Sequence, residues 1–342
     1  MEPGHYTKTE IQSQPEAWVD AIRAVNIIKR EILALISNDF DQILFTGCGS
    51  TYYLSLSAAA LYQELSGRIS RGIPASELLL NSKTVMGHGK TLLIAVSRSG
   101  STTETVRAVE QFRREKRGPV IAITNYGDQP LASLADLAVV IEKGQEKSVA
   151  QTRSFASMYV ASTALAALAG DDASLLEQMN MLPEAGKKLI GKGAIFANDY
   201  GTNLNLDRFY FLGSGLRYGL ACEVNLKMKE MSLTHSEPFH FLEFRHGPMS
   251  MVMERALVVG LLSEKNARYE RAVLEEMGEK GANILSLGKV GADITFDANL
   301  PESISGVLYL PVLQSMALAR SLAKGLDPDR PANLSAVITL DL

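Results

Sequence analysis

Cysteine is scarce in this sequence, with two residues, Cys48 and Cys222, among 342. Two thiols cannot form a disulfide framework, and both lie in apolar segments, so we expect them to be reduced and buried, as in a cytoplasmic protein. Long apolar runs are missing as well, since none approaches the roughly 20 residues that span a membrane. The N-terminus also lacks the basic-then-apolar order of a signal peptide. The sequence therefore predicts a soluble, cytoplasmic protein with no membrane partner.

An excess of positive charge is absent too. The chain has 34 Lys and Arg against 38 Asp and Glu, a formal net charge of -4, which argues against a nucleic-acid partner. It does not argue against a small anionic ligand, which needs only a local electropositive pocket. With 46% hydrophobic and 21% charged residues, the composition is that of a globular protein. The length suits one large domain or two ordinary ones.

What the sequence does have is a repeated alternation of apolar runs and helical patterns. The runs "DQILFTGCGST" and "DRFYFLGSGLR" are each followed by a helical stretch and a second apolar run. The second run ends at Ser97 in one half and at Ser263 in the other, 50 residues after Gly47 and Gly213 respectively. The repeat predicts an α/β fold with two tandem domains, each a parallel sheet flanked by helices in a flavodoxin-like, doubly wound order.

The predicted domain boundaries follow from this repeat. Residues 1–38 are predicted to form a helical lead-in, because their apolar residues recur at helical spacing. The first domain is then expected at 39–170, a helical linker at 171–204 and the second domain at 205–342.

Glycine pairs after two of the apolar runs suggest a dinucleotide site at first sight. The motifs at 47–49 and 213–215 supply the first two glycines of Gly-x-Gly-x-x-Gly, but Tyr52 and Tyr218 stand at the third position. That third glycine is needed for close packing of helix on strand. We therefore do not expect a nicotinamide cofactor.

The stretch "SRSGSTT", residues 97–103, places five hydroxyl side chains, one arginine and one glycine directly after an apolar run. In open α/β sheets, ligands bind beyond the carboxyl ends of strands, where helix N-termini favour anions. The alternative is a capping box, which Ser101 to Glu104 would also satisfy. Capping needs one hydroxyl and this stretch has five, so we favour a phosphate monoester. The candidate ligands are Ser97, Arg98, Ser99 and Thr102, with Gly49, Ser50 and Thr51 from the neighbouring strand end.

The second half lacks a hydroxyl cluster, since "LLSEKNAR" has one serine and a glutamate at the matching place. One phosphate per chain is therefore expected, and chemistry in this half must come from "EVNLKMKEMSLTHSEPFHFLEFRHGP". On a helix, Glu223, Lys227, Glu230 and Thr234 would share one face. That face is either an exposed stripe with a Glu–Lys pair or part of a catalytic site.

Three of the five histidines follow this helix within twelve residues. The order His240-x-x-Glu243-x-x-His246 is not the metal motif His-Glu-x-x-His, and Pro238 and "GP" at 247–248 indicate a loop, so we expect no metal. A carboxylate and an imidazole near a sugar carbonyl suit general acid–base catalysis. Hydrolysis by a serine is disfavoured, because the sequence has no nucleophile elbow.

Together these stretches resemble the sugar isomerase (SIS) superfamily, and most closely the isomerase half of glucosamine-6-phosphate synthase and its stand-alone deaminase and isomerase relatives. The resemblance covers nearly the whole chain, through "GCGSTYY", "SRSGSTTET", "EKSVAQTRSF", "LACEVNLKMKE", "HSEPFHFLEFRHGP" and "GLDPDRPANLSAV". It implies phosphate ligands at Ser50, Thr51, Ser97, Ser99 and Thr102, and sugar contacts at Val149 and Gln151.

The resemblance also implies catalytic roles. Glu230 matches the glutamate that moves a proton between C1 and C2, and Lys227 matches its neighbouring lysine. His246 matches the histidine associated with ring opening, which in the family reaches in from a neighbouring subunit. A homodimer with shared active sites, no metal and no organic cofactor is therefore expected.

Several positions depart from the family pattern. Arg98 replaces a glutamine, Gln151 replaces a serine, and Ala336 stands where the family has a lysine that forms an imine. The glutaminase domain of the synthase has no counterpart here, so use of glutamine is not expected. The predicted function is isomerisation or isomerising deamination of an amino-sugar 6-phosphate. The alternatives are a deglycase for fructosamine phosphates and a non-catalytic phosphosugar sensor.

Overall fold

The architecture is α/β, as predicted, with two five-stranded parallel sheets flanked by helices. A computed structural model describes residues 1–296, 299–332, 334–335 and 340. The chain forms two compact units, each discontinuous in sequence. The first-sheet unit comprises Ser13–Glu146, Arg153–Pro183 and Ser335–Leu342. The second-sheet unit comprises Met1–Gln12, Lys147–Thr152 and Glu184–Leu334.

The first sheet contains strands β1 to β5 in the order β2-β1-β3-β4-β5, all parallel. Their bounds are β1 Gln42–Gly47, β2 Ser70–Pro74, β3 Thr91–Ser97, β4 Val120–Thr124 and β5 Leu137–Val140. The central strands β3 and β4 are buried along their whole length, which explains their continuous aliphatic sequences.

The helices of the first-sheet unit connect and cover these strands. They are α2 Gln14–Ile27, α3 Lys29–Ile36, α4 Ser50–Ser66, α5 Ala75–Leu80, α6 Ser82–Val85, α7 Thr103–Arg114, α8 Pro130–Leu134, α9 Arg153–Ala169 and α10 Ala173–Gln178. Short 3-10 turns occupy Glu142–Gly144 and Met179–Met181. Helix α9 is buried from Ser154 to Leu168, because α2 and α4 both pack against it.

The second sheet repeats the strand order of the first. Its strands are β6 Arg208–Leu212, β7 His235–Phe239, β8 Ala256–Leu261, β9 Asn283–Gly288 and β10 Ile294–Thr295. They lie parallel in the order β7-β6-β8-β9-β10. The chain thus pairs its first strand with both its second and its third in each sheet.

The helices of the second-sheet unit include one from each end of the chain. They are α1 His5–Gln12, α11 Leu182–Thr202 (in this unit from Glu184), α12 Arg217–Ser232, α13 Ala267–Glu279 and α14 Leu310–Ala323. Short 3-10 turns lie at Glu243–Arg245, Pro248–Met251 and Ser305–Tyr309. The stretch Ser305–Ala323 is apolar and long enough to cross a membrane, but 78% of its most apolar window is buried, so we interpret it as a core element.

The compact units divide the predicted helical lead-in. Helix α1 belongs with the second sheet, whereas α2 and α3 belong with the first. The carboxylate of Asp329 explains the placement of α1, because it accepts hydrogen bonds from the backbone N–H groups of Tyr6 at 3.0 Å and Thr7 at 2.7 Å. These hydrogen bonds join residues more than 300 positions apart in the sequence, so no periodic pattern indicates them.

Both cysteines are free thiols. Cys222 is buried as predicted, whereas Cys48 is only partly buried. Desolvation by the surrounding protein raises the pKa of each thiol to about 11. Neither thiol is therefore an activated nucleophile near neutral pH.

Candidate functional site

The carboxyl end of the first sheet brings two candidate loops together. Strand β1 pairs with β3 on one side and with β2 on the other, so the strand order reverses between β1 and β3. In doubly wound sheets this switch point is where ligands bind. The loops that follow β1 and β3 lead into α4 at Ser50 and α7 at Thr103, which places two helix N-termini at this edge.

The hydroxyl loop, residues 97–102, gathers its side chains around one point. The Thr102 hydroxyl lies 3.4 Å from the hydroxyl oxygens of both Ser97 and Ser99. The Gly100 N–H donates to Ser97 Oγ at 3.1 Å, and Gly100 has a positive φ of 66°. Helix α7 has Thr102 as its N-cap residue without a side-chain capping bond. The alternative of a capping box at Ser101 to Glu104 finds no support at this N-cap, which leaves the hydroxyl cluster as a candidate anion site.

In the loop after β1, the threonine hydroxyl is bonded to the backbone of the loop itself. Gly49 adopts a φ of 55° at the N-cap of α4, a conformation that favours glycine. Thr51 Oγ1 accepts the Cys48 N–H and donates to the Cys48 carbonyl, both at 2.9 Å. The Thr51 hydroxyl therefore shapes the turn, while buried Ser50 begins the helix.

Arg98 is held by a carboxylate that the sequence analysis did not identify. The Arg98 guanidinium lies 3.8 Å from the carboxylate of Glu146, and both side chains are at least nine-tenths buried. Glu146 also accepts a hydrogen bond from the Ser154 hydroxyl. Because a buried charge is costly without a partner, this pair fixes the position of the arginine in the hydroxyl loop. Its signal in the sequence is the glutamate that opens "EKSVAQT".

In the second-sheet unit, one face of α12 carries a charged cluster. Lys227 Nζ forms an ion pair with Glu230 and lies 3.5 Å from Glu223 Oε1. The Glu223 and Lys227 side chains are 0% and 1% exposed, whereas Glu230 is 20% exposed. The hypothesis of an exposed stripe is therefore wrong for this face. Glu230 is the member of the cluster whose carboxylate reaches solvent and could take a proton from a substrate.

Thr234 and Lys324 belong to a separate cluster at the C-terminal end of α12. Lys324 Nζ donates to the carbonyl oxygens of Ser232 at 2.6 Å and Leu233 at 3.1 Å. Thr234 accepts a hydrogen bond from Arg320 at 2.8 Å. Partial burial lowers the pKa of Lys324. These groups cap the helix.

The three histidines occupy different local settings. His235 is exposed on β7. His240 stacks on Tyr218 with 3.9 Å between ring centroids, and partial burial lowers its pKa. His246 is exposed after the turn Glu243–Arg245, and its backbone N–H donates to the Glu243 carbonyl at 3.0 Å. Within the described part of the chain, no group of three or more His, Cys, Asp or Glu side chains is arranged to hold a metal ion.

The predicted sugar-binding loop, residues 147–152, is anchored by two carboxylate-bearing residues. Glu10, itself 3% exposed, accepts the Lys147 N–H at 2.6 Å and the Ser148 hydroxyl. The Val149 N–H donates to the Asp329 carbonyl at 3.2 Å. The side-chain carbonyl oxygen of Gln151 is buried and accepts no hydrogen bond from the described residues, which makes it a candidate acceptor for a sugar hydroxyl. Ala336 lies outside the described residues.

Comparison with known proteins was made on this basis. The family model "SIS domain" matches residues 36–168 and 205–299. The chain is 29% identical over 355 residues to the glutamine–fructose-6-phosphate aminotransferase (isomerizing) of Pyrococcus horikoshii, covering 98% of this chain and 58% of that protein. The corresponding protein of Chlamydia caviae is also 29% identical, with 59% of its length covered. The chain thus spans less than two thirds of these relatives.

Solved structures extend the comparison. Glucosamine-6-phosphate deaminase from Thermotoga maritima is 25% identical, with a TM-score of 0.78, and the match covers 94% of this chain and 100% of that one. Tagatose-6-phosphate ketose/aldose isomerase from Escherichia coli has a TM-score of 0.88 at 21% identity, covering 97% and 98% of the two chains. At that identity the second match is a likeness of fold.

Proposed function

The chain belongs to the SIS domain family, and on this premise we propose that it is a phosphosugar isomerase that acts on an amino-sugar 6-phosphate. The preferred reaction is isomerising deamination, in which an aldose phosphate becomes a ketose phosphate and ammonia is released. Simple aldose–ketose isomerisation is the nearest alternative, since both reactions begin with the same proton transfer.

The hydroxyl loop would anchor the phosphate. Serine and threonine hydroxyls, together with backbone N–H groups at helix N-termini, bind phosphate oxygens without adding negative charge. The Ser97 and Ser99 hydroxyls already lie within hydrogen-bond reach of the Thr102 hydroxyl. Arg98, oriented by Glu146, would supply positive charge or select among sugars.

Glu230 would move the proton between C1 and C2. After His246 assists ring opening, the Glu230 carboxylate takes the C2 proton. The C2–H electron pair becomes the C1–C2 double bond of an enolamine, and O1 takes a proton from water. Returning the proton from Glu230 to C1 leaves an iminium at C2, which gives one proton back to water and becomes the imine. Water adds to that carbon, ammonia departs and the ketose remains. Lys227 would keep Glu230 in position and stabilise its carboxylate before the proton is taken and after it is returned.

The single observation that carries this proposal is the partly exposed Glu230 carboxylate, fixed by the buried Lys227 that also contacts Glu223. A pure phosphosugar sensor has no need of a carboxylate positioned in this way. A buried cation beside two carboxylates is costly to assemble, which supports a catalytic role for the cluster.

A panel of sugar phosphates tests the proposal. Each compound is assayed for ammonia release and for aldose–ketose conversion, with the unphosphorylated sugar as its matched control. Ammonia release from an amino-sugar 6-phosphate supports deamination, and conversion without ammonia supports simple isomerisation. Release of an amine from a fructosamine phosphate would indicate a deglycase. Tight binding with no turnover across the panel would contradict an enzymatic function.

A further inference from the structure

The switch points of the two sheets share local geometry. After the first strand of each sheet, Gly49 and Gly215 adopt φ values of 55° and 58°. A side chain on Gly47 would collide with Thr51, and one on Gly213 with Arg217, four residues on in each case. Arg217 in the second sheet therefore occupies the place of Thr51 in the first.

The loops after the third strands correspond in the same way. Ser97 Oγ accepts the N–H of Gly100 at 3.1 Å, and Ser263 Oγ accepts the N–H of Asn266 at 2.9 Å. Each bond joins residues three apart at the entrance of a helix. Glu264 of the second sheet thus corresponds to Arg98 in the hydroxyl loop of the first.

At the second switch point, groups from both loops converge on one carboxylate. The backbone N–H of Glu264 donates to Glu302 Oε1 at 2.7 Å, and the guanidinium of Arg217 donates to the same oxygen. The Arg217 side chain is 8% exposed, and its Nε donates to the Tyr309 hydroxyl at 3.1 Å. A buried guanidinium and a loop N–H that share one oxygen form a built anion site.

A second carboxylate engages the rest of the loop. Glu270 accepts the N–H of Ser263 at 2.6 Å and its hydroxyl at 3.0 Å. The Ser263 donors are therefore used within the fold. The corresponding Ser97 hydroxyl in the first sheet lies beside the hydroxyl of Thr102.

We propose that the second switch point is an anion site whose ligand is the chain's own Glu302 carboxylate, which keeps phosphate out. Glu302 precedes the 3-10 turn Ser305–Tyr309 and is covalently tethered, so its effective concentration exceeds that of a free anion. Removing this carboxylate converts the second switch point into a phosphate site. The proposal concerns the sheet that lacks the hydroxyl loop and does not depend on the reaction proposed above.

Titration calorimetry with inorganic phosphate tests this proposal. Glu302→Ala leaves Arg217 and the Glu264 N–H without their anion, and we expect it to bind one more phosphate per chain than the unsubstituted protein. Adding Arg217→Gln to that variant should abolish the extra site. A stoichiometry equal to that of the unsubstituted protein would overturn the proposal. So would a second phosphate already bound with Glu302 in place.

Glu276→Ala is the matched control. It also removes a glutamate from an arginine, since Glu276 accepts from Arg245 Nε at 2.7 Å with both side chains 32% exposed. That pair lies outside the switch point, so phosphate stoichiometry should not change. The test distinguishes the proposed anion site at the second switch point from the proposed phosphate site of the hydroxyl loop. The phosphate gained on removing Glu302 reports on the second sheet. Phosphate binding by the unsubstituted protein reports on the hydroxyl loop.

A second variant covers the case in which Glu302→Ala does not fold. Glu302→Gln retains a carbonyl acceptor but removes the charge that competes with phosphate. Phosphate should then raise its unfolding midpoint more than that of the unsubstituted protein, because a ligand that binds the folded state stabilises it. Equal shifts in the two proteins would contradict the proposal.

Discussion

Glu230 differs from its neighbours on α12 in one physical respect, its access to solvent. Glu223 and Lys227 are buried, whereas a fifth of the Glu230 side chain is exposed. A proton acceptor must reach the reacting carbon, and its supporting charges work best where water is excluded. The division of the cluster into two buried members and one accessible member fits this requirement.

Glu230→Gln is expected to keep substrate binding and lose turnover, because the amide retains the shape of the side chain but cannot accept the C2 proton. The loss should be on the order of 100-fold or more, as for other general bases. Solvent-deuterium incorporation at C1 or C2 measures the step directly. Glu237→Gln, an exposed carboxylate on β7, serves as the control. Undiminished exchange in Glu230→Gln would remove this residue from the mechanism.

Lys227 is expected not to form an imine with the substrate. Its ammonium is paired with Glu230 and lies 3.5 Å from Glu223, and nucleophilic attack requires the neutral amine. Borohydride reduction in the presence of substrate, followed by intact-mass measurement, should therefore reveal no added sugar. A stable adduct mapped to any lysine would place the protein among the imine-forming enzymes.

At the scale of elements, we propose that the hydroxyl loop is a ligand site and not a helix cap. Helix α7 begins without a side-chain capping bond, so the hydroxyl groups contribute little to helix stability. They are arranged around Thr102, with both serine oxygens 3.4 Å from its hydroxyl. Changes in this loop should therefore affect affinity more than folding.

The double variant Ser97→Ala, Ser99→Ala tests this separation. Each hydrogen bond to a charged phosphate contributes roughly 1.5–3 kcal/mol, so glucose 6-phosphate should bind about 100-fold more weakly or worse. Calorimetry measures the affinity. Urea unfolding should show a smaller loss, about 1–3 kcal/mol of free energy of unfolding, because the N–H groups of Gly100 and Ser101 lose the serine oxygens that accept them. Affinity equal to that of the unsubstituted protein would show that the phosphate binds elsewhere.

Helix α1 depends on a cap from the other end of the chain. The Asp329 carboxylate accepts the N–H groups of Tyr6 and Thr7 at 3.0 and 2.7 Å, as well as the Thr7 hydroxyl at 2.7 Å. Asp329→Ala should lower the free energy of unfolding by about 1–3 kcal/mol, because buried donors lose their acceptor. Asp199→Ala, an exposed carboxylate on α11, should change it by less than about 0.5 kcal/mol. Equal unfolding midpoints for the two variants would contradict this role.

For the whole molecule, the two sheets share a strand order but differ in the anion to which the switch point of each sheet is suited. The first carries a hydroxyl loop suited to a bound phosphate, and the second holds the carboxylate of Glu302 at the matching place. We therefore propose one phosphate per chain. The proposed acid–base groups Glu230 and His246 lie in the second-sheet unit, so we propose different roles for the two units.

The exposed position of His246 would allow it to contribute to the active site of a neighbouring subunit. If the protein is a homodimer with shared sites, then Glu230→Gln and His246→Ala chains, each inactive alone, should regain partial activity when mixed. Hybrid dimers isolated by two affinity tags provide the measurement. Absence of recovery after proven subunit exchange would place both residues in the site of one chain.

The sequence by itself determined the features that depend on local pattern. Continuous aliphatic runs specified buried parallel strands, and the helical period placed Glu223, Lys227 and Glu230 on one face. Gly49, one of the paired glycines after the first apolar run, adopts a φ of 55°, a conformation that favours glycine. These properties depend on residues that are close together in the sequence. They are therefore the same in any fold in which the same helices and strands form.

Only the tertiary structure decided which of these groups are buried and what they contact. It buried Lys227, left the N-cap of α7 without a side-chain capping bond and joined α1 to Asp329. It also brought Glu302 to Arg217 across 85 positions and Glu146 to Arg98. Such pairs form because folding buries a charge or a hydrogen-bond donor, which is costly without a partner. Which groups become buried depends on the whole tertiary fold, so the local sequence pattern does not indicate the pairs.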